Sequence, residues 1–120
     1  DLLSPAPFHT RQDWCAARLA YTTARLDALP ADTRLILVNH WPLRYEDGTP
    51  PRIPRFSLWC GTTQTAEWHQ RYPVDTVVYG HLHMRSMRRR DGVTFEEVSL
   101  GYPRQWNSAR PLGDYLRKIR

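Results

Sequence analysis

Two short apolar runs stand out in the hydrophobic pattern of the chain. The first is Leu35-Ile36-Leu37-Val38 and the second is Val77-Val78-Tyr79. Short runs of β-branched and aromatic residues predict buried strands, which we place at residues 34–39 and 75–79. Because the first run is apolar throughout, it indicates a strand covered on both faces, as in a parallel sheet.

A helix is predicted before the first strand. Thr10 has the character of an N-cap, and Asp13 three residues later forms a variant of the capping box. The helix should end near Leu29, because Pro30 cannot continue it. We expect this helix to pack on the sheet as the crossover that leads into the first strand.

A long loop and a short helix separate the two predicted strands. Residues 41–61 contain four prolines, and a loop of this length is usually functional or mobile. Residues 62–70 predict a short helix that ends before the next proline. In this helix we expect Trp68 to belong to the core and His69 to be exposed.

A β-hairpin is predicted after the second strand. Asp91-Gly92 joins two strand-like segments, residues 84–90 and 93–100, and this dipeptide is a strong signal for a two-residue turn. The first segment is basic, and we expect its arginines to be solvated on an edge strand, where their charge opposes aggregation. The alternative is contact with phosphate or nucleic acid through the same basic run, which is Arg85, Arg88, Arg89 and Arg90.

The chain has the length of one domain, and its composition is basic. Its 120 residues include 17 basic and 12 acidic side chains, a net charge of +5. This balance indicates either a phosphate-bearing partner, such as nucleic acid, or an acidic half that the chain lacks, and we favour the second. Cys15 and Cys60 lack the spacing of a metal or redox motif, which favours free thiols and a cytoplasmic location. No apolar stretch approaches the length of a membrane span.

Histidines follow both apolar runs. His40 comes after the first strand, and His81 and His83 follow the second strand directly after Gly80. Side chains two residues apart in an extended chain lie on the same face, and open α/β sheets bind ligands at the carboxyl edge of their strands. Gly80 is expected to let the backbone turn there. Imidazole is the commonest metal-ligating side chain and suits zinc, iron, copper and nickel, so we predict a metal site formed by His40, His81 and His83.

Two motifs and the return strand of the hairpin carry a resemblance to a known family. They are Val38-Asn39-His40-Trp41-Pro42, Gly80-His81-Leu82-His83 and Val98-Ser99-Leu100-Gly101-Tyr102-Pro103. Over about residues 34–106 the chain resembles the C-terminal half of the calcineurin-like metallophosphoesterases. The resemblance implies an α/β fold, namely half of an α/β/β/α sandwich with flanking helices and a C-terminal β-hairpin.

The resemblance also implies a dinuclear metal centre with two divalent transition-metal ions, Mn, Fe, Zn or Ni. His40 and His81 would bind one ion together with an asparagine and a bridging aspartate from elsewhere, and His83 would bind the other ion. The family motifs Asp-x-His, Gly-Asp-x-x-Asp and Gly-Asn-His do not occur in this chain. We therefore interpret residues 1–120 as the C-terminal portion of a single domain whose N-terminal half is absent, with no catalytic acid or bridging carboxylate of its own.

Three functions remain open on the sequence alone. The first is a metal-dependent phosphoesterase that acts on a phosphoester substrate, with Arg44 in the long loop as a candidate phosphate ligand. The second is a basic, arginine-rich module that binds nucleic acid or phosphate without catalysis. The third is a structural zinc site with three histidines and one other ligand. We favour the first and expect the chain to be inactive alone, with the edge of strand 34–39 or of strand 75–79 open to the N-terminal half.

Overall fold

The computed structural model describes residues 4–48 and 61–119, and the chain divides into two compact units, residues 1–33 and 34–120. The first unit contains one helix, α1 (Arg11–Asp27). The hydroxyl of Thr10 accepts a hydrogen bond from the backbone N–H of Asp13 at 3.1 Å, so the predicted N-cap is confirmed. The helix ends two residues before Leu29. Its predicted packing on the sheet stays a prediction.

In the second unit, the described residues form a mixed sheet of four strands. Their order is β1-β2-β4-β3, in which β1 and β2 are parallel, β2 and β4 are parallel, and β4 and β3 are antiparallel. The fold is therefore α/β as predicted, whereas the half-sandwich architecture stays a prediction. The strands are β1 (Leu35–Val38), β2 (Val74–Tyr79), β3 (Ser86–Arg90) and β4 (Val93–Glu97), and a short helix, α2 (Trp68–Arg71), precedes β2.

The two faces of the sheet differ in burial. Val77, Tyr79 and Phe95 share one face and are each at most 2% exposed. On the other face burial is uneven: Thr76 of β2 is 6% exposed, whereas Ile36 and Val38 of the edge strand β1 are 47% and 77% exposed. The described residues of the second unit by themselves therefore leave this face of β1 uncovered, and coverage of β1 on both faces stays a prediction.

The edges of the sheet are formed by β1 and β3. The sequence predicts an open edge at the strand at 34–39 or at the strand at 75–79, and the first of these agrees with the observed order. The other alternative is wrong, because β2 is paired with β1 on one side and with β4 on the other. The hairpin turn is confirmed: Asp91 and Gly92 adopt φ values of 51° and 81°, as a type I′ turn requires.

The second predicted helix divides into a 3₁₀ turn, Thr63–Thr65, and α2. Trp68 is only half-buried and packs edge-on against Tyr72. The expectation that His69 is exposed is wrong, because this residue is 3% exposed and its ring packs against Phe95. Helical periodicity could not reveal this burial, since the covering hairpin lies more than 20 residues further along the chain.

The remaining segments contain short 3₁₀ turns. Glu46–Gly48 forms one after β1, and residues 49–60 of the predicted long loop lie outside the described residues. Leu112–Tyr115 forms another, in a tail for which the sequence predicted no element. Cys15 is exposed and free, while Cys60 lies outside the described residues. Among the described residues, no helix is long and apolar enough to cross a membrane.

Candidate functional site

The carboxyl ends of β1, β2 and β4 lie at one edge of the sheet, because these three strands run in the same direction. Backbone hydrogen bonds continue beyond the strand ends. The N–H of Asn39 donates to Val78 at 2.9 Å, that of Gly80 donates to His40 at 3.2 Å, and that of Val98 donates to Tyr79 at 2.9 Å. The segments that carry the histidines are therefore tied to each other by main-chain bonds.

His40 and His81 face each other at this edge. The distance from His40 Nε2 to His81 Nδ1 is 3.2 Å. Two imidazole nitrogens that each lie about 2.0–2.1 Å from one tetrahedral zinc ion are about 3.3–3.4 Å apart. The pair is thus spaced as two ligands of one ion would be, and without an ion the same distance allows one ring to donate N–H to the other. By donor chemistry and spacing, the pair fits a transition metal.

His83 lies near this pair but does not face it. Its ring packs edge-on against Tyr102, with 4.5 Å between the ring centroids. Within residues 4–48 and 61–119, no three side chains of the His, Cys, Asp and Glu types are grouped closely enough to hold an ion. The structure therefore brings two of the three predicted ligands together and places the third beside them, against an aromatic ring.

An aromatic side chain also borders the histidine pair. The Trp41 ring lies 4.0 Å from the His81 ring and 4.4 Å from the His40 ring, measured between centroids. The side-chain amide of Asn39 donates to the backbone carbonyl of Trp41 at 2.8 Å, which fixes the turn that carries this ring. Trp41 therefore limits the positions available to both imidazoles.

The backbone of the Gly-His-x-His loop is unusual at its histidines. His81 and His83 have φ values of 71° and 54°, in the left-handed region that non-glycine residues seldom adopt. Gly80 does not adopt this conformation, although the turn closed by the Leu82 N–H begins at its carbonyl. Its lack of a side chain serves a different purpose, because a Cβ at this position would lie 3.1 Å from Ser99 Oγ. Strained backbone of this kind is concentrated at functional sites.

The electrostatic surroundings of His81 disfavour its protonated form. Burial, and then the neighbouring His40 and His83 rings, lower the pKa of His81 below its usual value, while Glu97 acts in the opposite direction. A neutral imidazole is the form that ligates a metal. The loop thus favours the state of His81 that metal binding needs.

Sequence reasoning missed one charged residue at this edge. Glu97, the last residue of β4, is 0% exposed. Its carboxylate accepts hydrogen bonds from the hydroxyl of Ser99 at 2.5 Å and from the N–H of Ser99 at 3.3 Å. The only signal in the sequence was a carboxylate near the end of a predicted strand. It could not be used, because the sequence does not show that β4 lies beside β2 and parallel to it.

Two arginines have partners that the sequence did not reveal. Arg44 donates to the Ala66 carbonyl at 3.3 Å, and its guanidinium lies 3.4 Å from the carboxylates of both Glu46 and Glu67. It would have to leave these groups to bind a phosphate, so its role as a phosphate ligand stays a prediction. Arg85 is not the solvated residue that was expected: it is half-buried and donates to the carbonyls of Val98, Ser99 and Tyr115.

The chain is similar to a phosphodiesterase of Mycobacterium tuberculosis. It is 50% identical over 118 residues to the acyl-carrier-protein phosphodiesterase PptH, a match that covers 98% of this chain and 36% of that protein. It also resembles the crystal structure of the phosphopantetheinyl hydrolase PptH from the same organism, with a TM-score of 0.89 and 50% identity, covering 98% of this chain and 42% of that chain. No family model matches the sequence. The chain thus spans about a third of the length of the curated relative it matches.

Proposed function

We propose that this chain forms the histidine-bearing part of a metal-dependent phosphoesterase, which cleaves the phosphodiester between phosphopantetheine and an acyl carrier protein. The observation that carries the proposal is the facing pair of His40 and His81 at 3.2 Å, at the carboxyl edge of a sheet. The substrate comes from the relative, whose names specify an acyl-carrier-protein phosphodiesterase and a phosphopantetheinyl hydrolase.

The proposed metal centre assigns different tasks to the three histidines. His40 Nε2 and His81 Nδ1 would share one ion, and His83 would contribute to a second ion. When bound, two divalent ions supply an activated water and stabilise the charge on the phosphoryl oxygens. The chain's own residues orient the ligands: Trp41 limits the His40 and His81 rings, and Tyr102 limits the His83 ring.

Carboxylates are the remaining requirement of such a centre. Two divalent cations close together repel each other, and three neutral imidazoles offset none of their charge. We propose that another segment of the polypeptide supplies the carboxylates and covers the exposed sheet face that bears Ile36 and Val38. Residues 1–120 alone should then bind metal weakly and hydrolyse nothing. The support for this proposal is the exposure of Ile36 and Val38 on the edge strand and the absence of a three-ligand group among the described residues.

The alternative of a basic module for nucleic acid has less support. Arg85 is half-buried and engaged with backbone carbonyls, and Arg88 lies 3.4 Å from the buried carboxylate of Asp47. Two of the four arginines in the basic run are therefore occupied by contacts within the protein. A surface for phosphate backbones would need these side chains to be free to reach outwards.

The test is hydrolysis of phosphopantetheinylated acyl carrier protein by the full-length protein, before and after chelation and after metal is restored. We expect His40→Ala and His81→Ala to lower kcat/KM by at least about a hundredfold, while His9→Ala leaves it unchanged because His9 is an exposed histidine of the first unit. A bis-ester such as bis-p-nitrophenyl phosphate extends the test to small phosphodiesters. Full activity after complete chelation, or in His81→Ala, would refute the proposal.

A further inference from the structure

We propose that Glu97 and Ser99 are positioning residues that hold the Gly80-His81-Leu82-His83 loop in its metal-binding conformation. The inference rests on the proposed function, because it assigns the support of the same histidines. It adds Glu97, the last residue of β4, and Ser99, two residues further on. Both act through Gly80 and His81 rather than by contact with substrate.

Glu97 is a carboxylate in the protein interior, where its burial must be compensated. It is fully buried, and burial of a charged group is costly unless hydrogen bonds or opposite charges compensate it. Both of its oxygens are used by Ser99, one by the hydroxyl and the other by the backbone N–H. This bidentate arrangement fixes the side chain of Ser99 in a single orientation.

That orientation brings Ser99 against the histidine loop. A Cβ built on Gly80 would lie 3.1 Å from Ser99 Oγ, so any other residue at position 80 would require the hydroxyl to move by a few tenths of an ångström. The backbone on either side is tied as well, since Val98 donates to the carbonyl of Tyr79 and Gly80 donates to the carbonyl of His40. Ser99 therefore closes one side of the loop at the residue from which it departs.

The loop needs such support because its conformation is intrinsically unfavourable. His81 and His83 both have positive φ values, and the N–H of Leu82 donates to the carbonyl of Gly80 at 2.9 Å within a tight turn. Without a fixed neighbour at Gly80, the turn would relax toward ordinary backbone conformations. The 3.2 Å spacing of the His40 and His81 nitrogens would then be lost.

The first experiment compares neighbouring carboxylates of β4. Glu97→Ala should weaken Zn²⁺ or Co²⁺ binding by at least about tenfold, the effect typical of residues that orient metal ligands, whereas Glu97→Gln, which keeps an acceptor for Ser99, should stay within about threefold. The matched control is Glu96→Ala. Glu96 lies on the opposite face, where it pairs with Arg117 at 2.7 Å, and its loss should leave metal affinity within about twofold.

The second experiment tests the contact directly. Gly80→Ala should weaken metal binding because Ser99, held by Glu97, cannot move away from the new Cβ. Ser99→Gly alone should weaken binding because the support is lost, and the double variant should bind no worse than Ser99→Gly alone, because the clash disappears with the hydroxyl. Simple additivity of the two substitutions would overturn the proposal, since residues that act independently show additive effects.

A readout without metal separates this inference from the proposed function. Amide hydrogen exchange should accelerate by at least about tenfold at residues 81–83 in Glu97→Ala, and should be unchanged there in Glu96→Ala. If the protein binds no metal at all but this exchange pattern is found, the proposed function fails and the positioning role stands. If exchange rises equally in the sheet and in the loop, Glu97 only stabilises the fold and the inference is wrong.

Discussion

His69 and His40 provide a direct test of which histidines are structural and which are functional. The side chain of His69 is fully buried, packs against Phe95 and donates a hydrogen bond from Nε2 to the carboxylate of Asp91 at 3.0 Å. His40 is exposed and faces His81. We expect His69→Ala to destabilise the fold without changing metal affinity, and His40→Ala to do the reverse.

The size of the effect follows from burial. Truncating a large buried side chain to alanine costs about 2–5 kcal/mol from lost contacts and the remaining cavity. The imidazole belongs at the lower end, about 2 kcal/mol, because its Nδ1 is buried without a hydrogen-bond partner among the described residues, which reduces its net contribution. The hydrogen bond to Asp91 adds little, since that carboxylate is half-exposed and screened by water.

Urea unfolding, followed by circular dichroism, measures the free energy of unfolding, and calorimetric titration measures metal affinity on the same samples. Gln70→Ala is the matched control, because Gln70 is exposed and donates to the same Asp91 oxygen at 2.8 Å. It should change stability by less than about 0.5 kcal/mol. The reasoning is refuted if His69→Ala loses less than about 0.5 kcal/mol, or if it loses metal affinity while His40→Ala retains it.

Three further predictions concern the metal, the hairpin and pH. Titration should show tighter binding of Mn²⁺, Zn²⁺ or Ni²⁺ than of Ca²⁺ or Mg²⁺, because neutral nitrogen donors suit borderline metals; tighter Ca²⁺ binding would contradict the site. Among the hairpin arginines, Arg89→Ala and Arg90→Ala should leave turnover and stability unchanged. Arg88→Ala should lower the free energy of unfolding, measured in urea, by up to about 1 kcal/mol, because buried Asp47 loses its cation. Because the pKa of His81 is lowered in the folded state, the unfolded chain binds more protons than the folded one. With chelator present, the free energy of unfolding should therefore fall as pH drops below about 6.5. His81→Ala should flatten this decline.

Local patterns predicted the parts of the fold that depend on local interactions. The Thr10 N-cap and the Asp91-Gly92 turn are satisfied by bonds within a few residues, so the sequence alone was sufficient to place them. The strand positions followed from short apolar runs. The arrival of His40 and His81 at one edge followed from a single further assumption, that the two strands are parallel neighbours.

Features that depend on distant partners could not be predicted in this way. The burial of His69 depends on Phe95, which lies 26 residues away in the sequence. One of the hydrogen bonds that Arg85 donates depends on the carbonyl of Tyr115, 30 residues away. Glu97 acquires its place at the histidine edge only because β4 pairs with β2. In each case the side chain type suggested a solvated residue, and tertiary pairing supplied the partner.

On the proposed function, the charge at the histidine edge would link metal binding to the covering of β1. His40 and His81 face each other, and the buried carboxylate of Glu97 acts electrostatically on His81, but the described residues hold no group of three such ligands. On the proposed function, further carboxylates would come with the segment that covers Ile36 and Val38 on the edge strand. Covering the face buries apolar surface, and binding the ions offsets the repulsion among the carboxylates that arrive with it. Each event therefore favours the other, and metal affinity and stability of the assembled site should rise together.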